Sequence, residues 1–392
     1  MKSVVILSHR VPFPPNKGEK LRTFHQIEYL HKHGYKVSVC CPVFNREDEQ
    51  YAIDLAEHFK IEVSTLALGN QYVRFIKAIL TGRSMSEANF YSAELETLFL
   101  QKAESADAVL LTASSLTRYA RKLVSTKTQV LIDFMDVDSD KWAQYVASAK
   151  LPMKYIYARE NKLIRKLELE AVANFDHLFL IAEAEVNLFE KTVSKTSKLK
   201  VLGNGIDFGL YFPVHREPKK SQEILFTGVM DYKPNIDAVK WFVSNCWKQI
   251  KEAKPNCKFI IGGMNPTSDI LALKNIDGVE VTGFVDDIKP YFDSADLFVA
   301  PFQIARGVQN KVLQAMACAL PVVSTSLGAE GINCIKGENI LISDQASDFT
   351  ASCLTLLTDE NAKKAIGEAA HQLIVNHYSW DAVLLPLKES IG

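Results

Sequence analysis

Asp296 to Thr325, DLFVAPFQIARGVQNKVLQAMACALPVVST, decides how the rest of the chain is read. Leu297 to Ala300 is a short unbroken apolar run, the pattern of a strand buried on both faces. The loop Pro301 to Gly307 follows, and then Val312, Met316 and Ala319, with Leu313 and Leu320, recur at helical spacing. Pro321 ends that helix and Val322-Val323 opens a second apolar strand, so the stretch is one strand, loop, helix and strand of a parallel sheet. Ligands of such sheets sit beyond the carboxyl ends of the strands, where the free N–H groups at a helix start attract anions. Arg306, Gly307, Asn310 and Lys311 bring a flexible backbone, two cations and an amide to that point, a set suited to a diphosphate. A buried β-α-β unit with incidental loop charges fits the same local pattern.

Working outward, 392 residues are long for one core, and two domains of ordinary size are expected. A formal charge of -1 argues against a nucleic-acid coat, and 47% hydrophobic residues mark a globular rather than a disordered chain. No apolar run reaches membrane-spanning length, and MKSVVILSHR reads as a first strand rather than a secretory signal. Seven scattered cysteines with no C-x2-C pair suit a reducing cytoplasm better than a disulfide frame or a zinc site.

The first half alternates strand and helix. Val4 to Leu7 is a strand, the loop to Gly18 is rich in proline, and Leu21, Phe24, Ile27 and Leu30 mark a helix whose start carries Lys17, Lys20 and Arg22. Cations are unfavourable there because of the helix dipole, which points to an anionic ligand. Val37 to Cys40, Val109 to Leu111, Val130 to Ile132 and Phe179 to Ile181 are further strands, and 51 to 105 reads as helical. Within it Tyr72, Phe75, Ile76, Ile79 and Leu80 form an apolar stripe beside Arg74, Lys77 and Arg83, a core face by preference or a membrane-leaning surface. The basic amphipathic stretch 149–173 is likewise either a solvated helix or one lying on anionic lipid. In DFMDVDSDKW, Asp133, Asp136, Asp138 and Asp140 crowd a strand end and need partners, because like charges repel. A Mg2+ site, a hydroxyl-binding loop with Asp138 and Ser139 in contact, and a helix capped at Ser139 or Asp140 are all compatible with it.

RGVQNKVLQAMACALPVVST resembles the nucleotide-diphosphate-binding segment of GT-B glycosyltransferases of family 4, and more closely that of bacterial exopolysaccharide-associated sugar transferases. DFMDVDSDKW resembles a cleft signature of the same group, and Asn204-Gly205-Ile206-Asp207 with Phe212-Pro213 resembles the segment that crosses between domains. The resemblance implies an α/β protein of GT-B architecture, two Rossmann-like doubly wound domains facing across a cleft. Residues 1–203 would be the acceptor domain, 204–372 the nucleotide-sugar domain, and 373–392 a helix crossing back, with Trp380 near the crossing. It implies a retaining transferase without metal or other cofactor, taking a nucleotide-sugar donor and a glycan or lipid-linked acceptor. Such a protein would work in the cytoplasm, with peripheral contact with the inner membrane and no nucleic-acid partner.

The implied site residues divide by role. Arg306, Lys311 and Lys233 would stabilise the leaving diphosphate, with Asp138 at the acceptor or donor hydroxyls. Gln314 would hold the ribose, Gly283 and Phe284 the nucleobase, and Glu330 the donor sugar. Gly18, Gly228, Gly263, Gly307 and Val308 would let the backbone approach the nucleotide. The family has glutamates where this chain has Arg306 and Gln314, and an arginine where it has Val229. A nucleotide-sugar epimerase, which needs no acceptor, and a non-catalytic nucleotide-sugar-binding protein share the same features.

Overall fold

The computed structural model describes residues 1–15, 18–124, 126–215, 221–305 and 308–392. Among these, thirteen strands form two all-parallel sheets. The first sheet contains β1 (Ser3–Leu7), β2 (Lys36–Val43), β3 (Glu62–Ala67), β4 (Ala108–Leu111), β5 (Gln129–Met135), β6 (His177–Leu180) and β7 (Leu199–Val201). Their order is β3-β2-β1-β4-β5-β6-β7. Val4 and Val5 of β1 lie beside Ala108 and Val109 of β4, and the winding reverses between these two strands. An open parallel sheet leaves a crevice at the carboxyl ends there.

The second sheet contains β8 (Glu223–Thr227), β9 (Lys258–Gly262), β10 (Val279–Gly283), β11 (Leu297–Ala300), β12 (Val322–Ser324) and β13 (Leu341–Ile342). Their order is β10-β9-β8-β11-β12-β13, so the reversal falls between β8 and β11. All four residues of β11 are buried, as the unbroken apolar run requires. Helix Asn310–Ala317 buries Val312, Leu313 and Met316 behind it. Phe226, Phe298 and Phe292 stack in the same core, with ring centroids 6.4 and 5.9 Å apart.

Four readings of the sequence are corrected. β3 interrupts the stretch taken as helical, because an edge strand with no fully buried residue shows little apolar signal. Three half-buried residues add β7 outside β6, so Phe179 to Ile181 does not close the sheet. The stripe on helix Gln71–Leu80 is not a core face: that helix buries only Ala78. Finally, the chain parts into two compact units, 1–204 with 383–392, and 205–382. Helix Glu360–Tyr378 thus stays in the second unit, packed on helix Asn310–Ala317, and the returning segment is 383–392 rather than 373–392. Trp380 covers Gly205 so closely that a Cβ there would sit 2.5 Å from its ring.

Arg22 is not a free cation at a helix mouth. It is 1% exposed, and its guanidinium grips the 0% exposed Asp133 through Nε at 2.6 Å and Nη2 at 3.1 Å. It also donates to the carbonyls of Leu202 and Gly203 and to the Asn204 side chain. A buried pair broken on one side leaves an uncompensated charge, so Arg22→Met should cost about 3 kcal/mol or more in chemical denaturation. Asp133→Leu added to Arg22→Met should recover most of that loss; if it recovers none, the pair is not what holds this region.

Candidate functional site

The second unit's cavity, of about 850 Å³, lies beyond the carboxyl ends of β8, β9 and β10 and against helix Asn310–Ala317. Its glycine floor follows from close backbone packing. The N–H of Gly228 donates to the carbonyl of Gly262 at 2.9 Å, and Gly263 has φ +144. A Cβ on Gly263 would lie 1.7 Å from the Gly228 carbonyl oxygen. A Cβ on Gly228 would meet the Asn235 amide at 2.7 Å and the Lys311 ammonium at 2.9 Å. At β10's end Gly283 takes φ +76, a left-handed turn that glycine adopts freely, and delivers the largely exposed Phe284 to the cavity wall.

Among the described residues lining it, Lys311 is the cation of this cavity. Its Nζ donates to Asn235 Oδ1 at 2.6 Å and lies 5.1 and 5.0 Å from the ring centres of Phe226 and Phe302. Burial lowers its pKa to about 8, because the charged form loses water and gains no carboxylate. Asn235 is itself anchored, its amide donating to the Val229 carbonyl at 2.9 Å. Gln314 lies one helical turn beyond Lys311 on the same wall, with Tyr211, Tyr232 and Met264 also lining the space. A largely buried ammonium at a helix start beside aromatic faces can bind a compact polyanion with a planar ring attached.

The remaining expected residues divide. Gly228, Gly263, Phe284, Lys311 and Gln314 line the cavity. Lys233 does not: its side chain is 77% exposed and pairs with Asp237 at 2.7 Å, one turn along its own helix. Val308 packs under Gly331, where a Cβ would lie 3.0 Å from it, and Glu330 is exposed in a turn; neither belongs to the cavity wall. Arg306, Gly307 and Lys17 lie outside the described residues. Asn235 was missed in the sequence, although an asparagine one turn into a helix that follows a strand and a glycine is a legible signal for a buried polar anchor.

The first unit has its own cavity of about 500 Å³ at the β1–β4 reversal, lined by Gly18, His9, Asp136, Asp138, Lys141, Trp142 and Tyr145 among others. Burial, with Arg10 nearby, lowers the His9 pKa to about 4, so its ring is neutral at physiological pH. Each of the four aspartates has a partner, although Lys141 lies near both Asp136 and Asp138. Asp133 holds Arg22, Asp136 accepts from Lys141 at 2.7 Å, Asp138 accepts from Ser114 Oγ at 2.5 Å, and Asp140 accepts from Gln144 at 2.7 Å. Burial, helped by Asp136, raises the Asp138 pKa above the usual carboxylate range.

Ser139 is corrected. Helix Asp138–Ser148 starts one residue before it, Val137 stands at the N-cap, and Ser139 is fully buried, donating its N–H to Glu168 at 3.0 Å. It touches no open space. Among the described residues, no group of three or more His, Cys, Asp or Glu side chains is placed to hold a metal ion. Nor is any described helix long and apolar enough to cross a membrane.

Residues 221–359 match the family described as Glycosyl transferases group 1. A Klebsiella pneumoniae protein described as an uncharacterized 44.6 kDa protein in the cps region is 20% identical over 392 residues, covering 96% of this chain and 97% of that one. An uncharacterized glycosyltransferase of Methanocaldococcus jannaschii is 23% identical over 234 residues, covering 56% of this chain and 60% of that one. Among solved structures, HepE of Anabaena in complex with UDP and glucose superposes with a TM-score of 0.63 at 14% identity, over 100% of this chain and 99% of that one. Sucrose-phosphate synthase of Thermosynechococcus elongatus gives 0.61 at 14% identity, over 99% and 98%. Two Rossmann-like units with these neighbours define the GT-B class. Within it, residues 221–359, which lie inside the second unit, are similar to the group 1 glycosyl transferases.

Proposed function

We propose that the protein transfers a sugar from a UDP-sugar to a glycan or lipid-linked acceptor in surface polysaccharide synthesis, with retention of anomeric configuration and without a metal. The observation that carries this reading is Lys311, a buried ammonium with no carboxylate among the groups acting on its pKa, at a helix mouth inside the glycine-floored cavity. There it meets the diphosphate, and charge developing on the leaving group strengthens that contact in the transition state. Arg306, five residues before it in the sequence, would supply a second cation. Gln314 takes the ribose hydroxyls, and Phe284 lies against the base. The first unit's cavity takes the acceptor, with Asp138 and Lys141 on its hydroxyls and Trp142 and Tyr145 as apolar platforms. The Anabaena structure, with UDP and glucose bound, supports the choice of uridine, and the cps-region relative supports the pathway.

The test has two stages. UDP and GDP are titrated calorimetrically into the full chain, and UDP-sugars are then incubated with and without lipid-linked acceptors, the product anomer being read by NMR. UDP binding with acceptor-dependent turnover is expected. Donor consumed without acceptor and converted to an isomer would make the protein an epimerase, and binding without turnover would make it a carrier. A narrower test concerns Gln314. Because a carboxylate is the stronger acceptor for two hydroxyls, Gln314→Glu should hold or raise UDP affinity, by about 1 kcal/mol at most. A tenfold or greater loss with the fold intact would remove Gln314 from the ribose.

A further inference from the structure

Helix Gln71–Leu80 presents Tyr72, Val73, Ile76, Ile79 and Leu80 to solvent, with Tyr72 76% and Leu80 80% exposed. This is a fixed face rather than a loose segment, because the chain behind it is tied down. Arg159 donates to the carbonyls of Ala78 at 3.3 Å and Arg83 at 2.7 Å. The next residue, Glu160, is fully buried and accepts from Ser84 Oγ at 2.8 Å and the Met85 N–H at 2.9 Å. Those bonds join the helix's far end to helix Met153–Asn174, whose approach exposes Leu151, Met153 and Tyr155 as well.

The charges on the two joined segments have one sign. Residues 69–86 contain Arg74, Lys77 and Arg83 and no Asp or Glu. Residues 141–159 again contain no acid; Lys141 is paired with Asp136 and Arg159 is held by Glu160 and backbone carbonyls, which leaves Lys150 and Lys154 for the rim. Glu94, on a neighbouring helix, lies near enough to Lys77 to feel its charge. An exposed apolar stripe with a basic rim matches the boundary of an anionic bilayer, where aliphatic and tyrosyl groups enter the headgroup layer and lysines meet lipid phosphates. A second copy of the chain is a poorer match, since a two-fold contact would set the same cations against each other.

We propose that the face formed by helix Gln71–Leu80 and the start of helix Met153–Asn174 docks the protein on an anionic lipid surface. This rests in part on the proposed function, since an acceptor carried on a lipid is met at such a surface. Docking is nevertheless read without turnover, so either reading can fail alone.

The 392-residue chain is co-sedimented with phosphatidylcholine vesicles and with vesicles in which part of that lipid is replaced by phosphatidylglycerol. Binding to the anionic vesicles should exceed binding to the neutral ones and fall as salt rises. Ile76→Ser with Leu80→Ser, and separately Lys77→Glu with Lys154→Glu, should each weaken it by about tenfold or more. Melting temperature and UDP protection should not change in either variant, which separates docking from folding. Equal binding by wild type and both variants overturns the proposal, as does absence of binding to anionic vesicles. So does lipid-free self-association that the same variants abolish, which would make the face a contact between copies.

Discussion

Lys311→Met will lower sugar transfer at saturating donor by roughly a hundredfold or more, the usual effect of removing one fixed cation from developing phosphate charge. The fold should not suffer. Lys311 is largely buried with its pKa lowered from the ordinary 10.5 to about 8, so below pH 8 the folded protein holds a charge at a desolvation cost. A group lowered in this way makes the unfolded chain bind more protons between pH 8 and 10.5, and stability rises across that window. Methionine fills similar space without charge, so the variant should match or exceed the wild-type melting temperature at neutral pH and lose the rise above pH 8. UDP at a hundredfold excess over Kd should protect the wild type by about 2.7 kcal/mol and the variant by clearly less. Normal turnover, or early unfolding, would make Lys311 a structural residue and move the diphosphate to Arg306.

Gly263→Ala should be the most destabilising single substitution in the second unit, on the order of 4 kcal/mol or more. Two causes add. The backbone at φ +144 is strained for any residue with a side chain, and the new methyl would lie 1.7 Å from the Gly228 carbonyl oxygen, which belongs to the adjoining strand end and cannot swing aside. Urea denaturation should show an early transition of the second unit, and UDP binding should be lost with it. Gly228→Ala makes a useful contrast. There the obstacles are the ends of the Asn235 and Lys311 side chains, which can shift, so the cost should fall more on UDP affinity than on the midpoint. Equal stability for Gly263→Ala and wild type would mean that the two strand ends are not in the contact described.

The strands legible in the sequence were those buried on both faces. β4 and β11 are apolar throughout, and β1 and β8 are apolar except for the end residues Ser3, Glu223 and Thr227. β3 and β7 escaped because edge strands are half-solvated, and their sequences carry the mixed pattern of any surface segment. The stripe on Gln71–Leu80 failed for a different reason. Periodicity reports that a helix has an apolar side but not what faces it, and the tie from Glu160 and Arg159 that leaves this side uncovered spans more than seventy residues. In the site, Lys311 and Gln314 were legible because they share a helix that follows a strand and a glycine loop. Asn235, which holds Lys311 in place, comes from a different strand end, and only the sheet order brings the two together. Lys233, two residues away, fits the basic position that the family resemblance implies, but its place on the helix sends it to Asp237 and solvent.

With a diphosphate seated beside Lys311 as proposed, its lowered pKa would also make donor binding a proton-uptake reaction. Near pH 8 about half of the unliganded molecules lack the ammonium proton, and a diphosphate that settles beside the amine restores it. The proton must come from the buffer. The heat of UDP binding at that pH should therefore include the buffer's own ionisation enthalpy, so that titrations in Tris and in phosphate give different apparent enthalpies for the same complex. The slope of observed heat against ionisation enthalpy counts the protons taken up, and Lys311→Met should flatten it to zero.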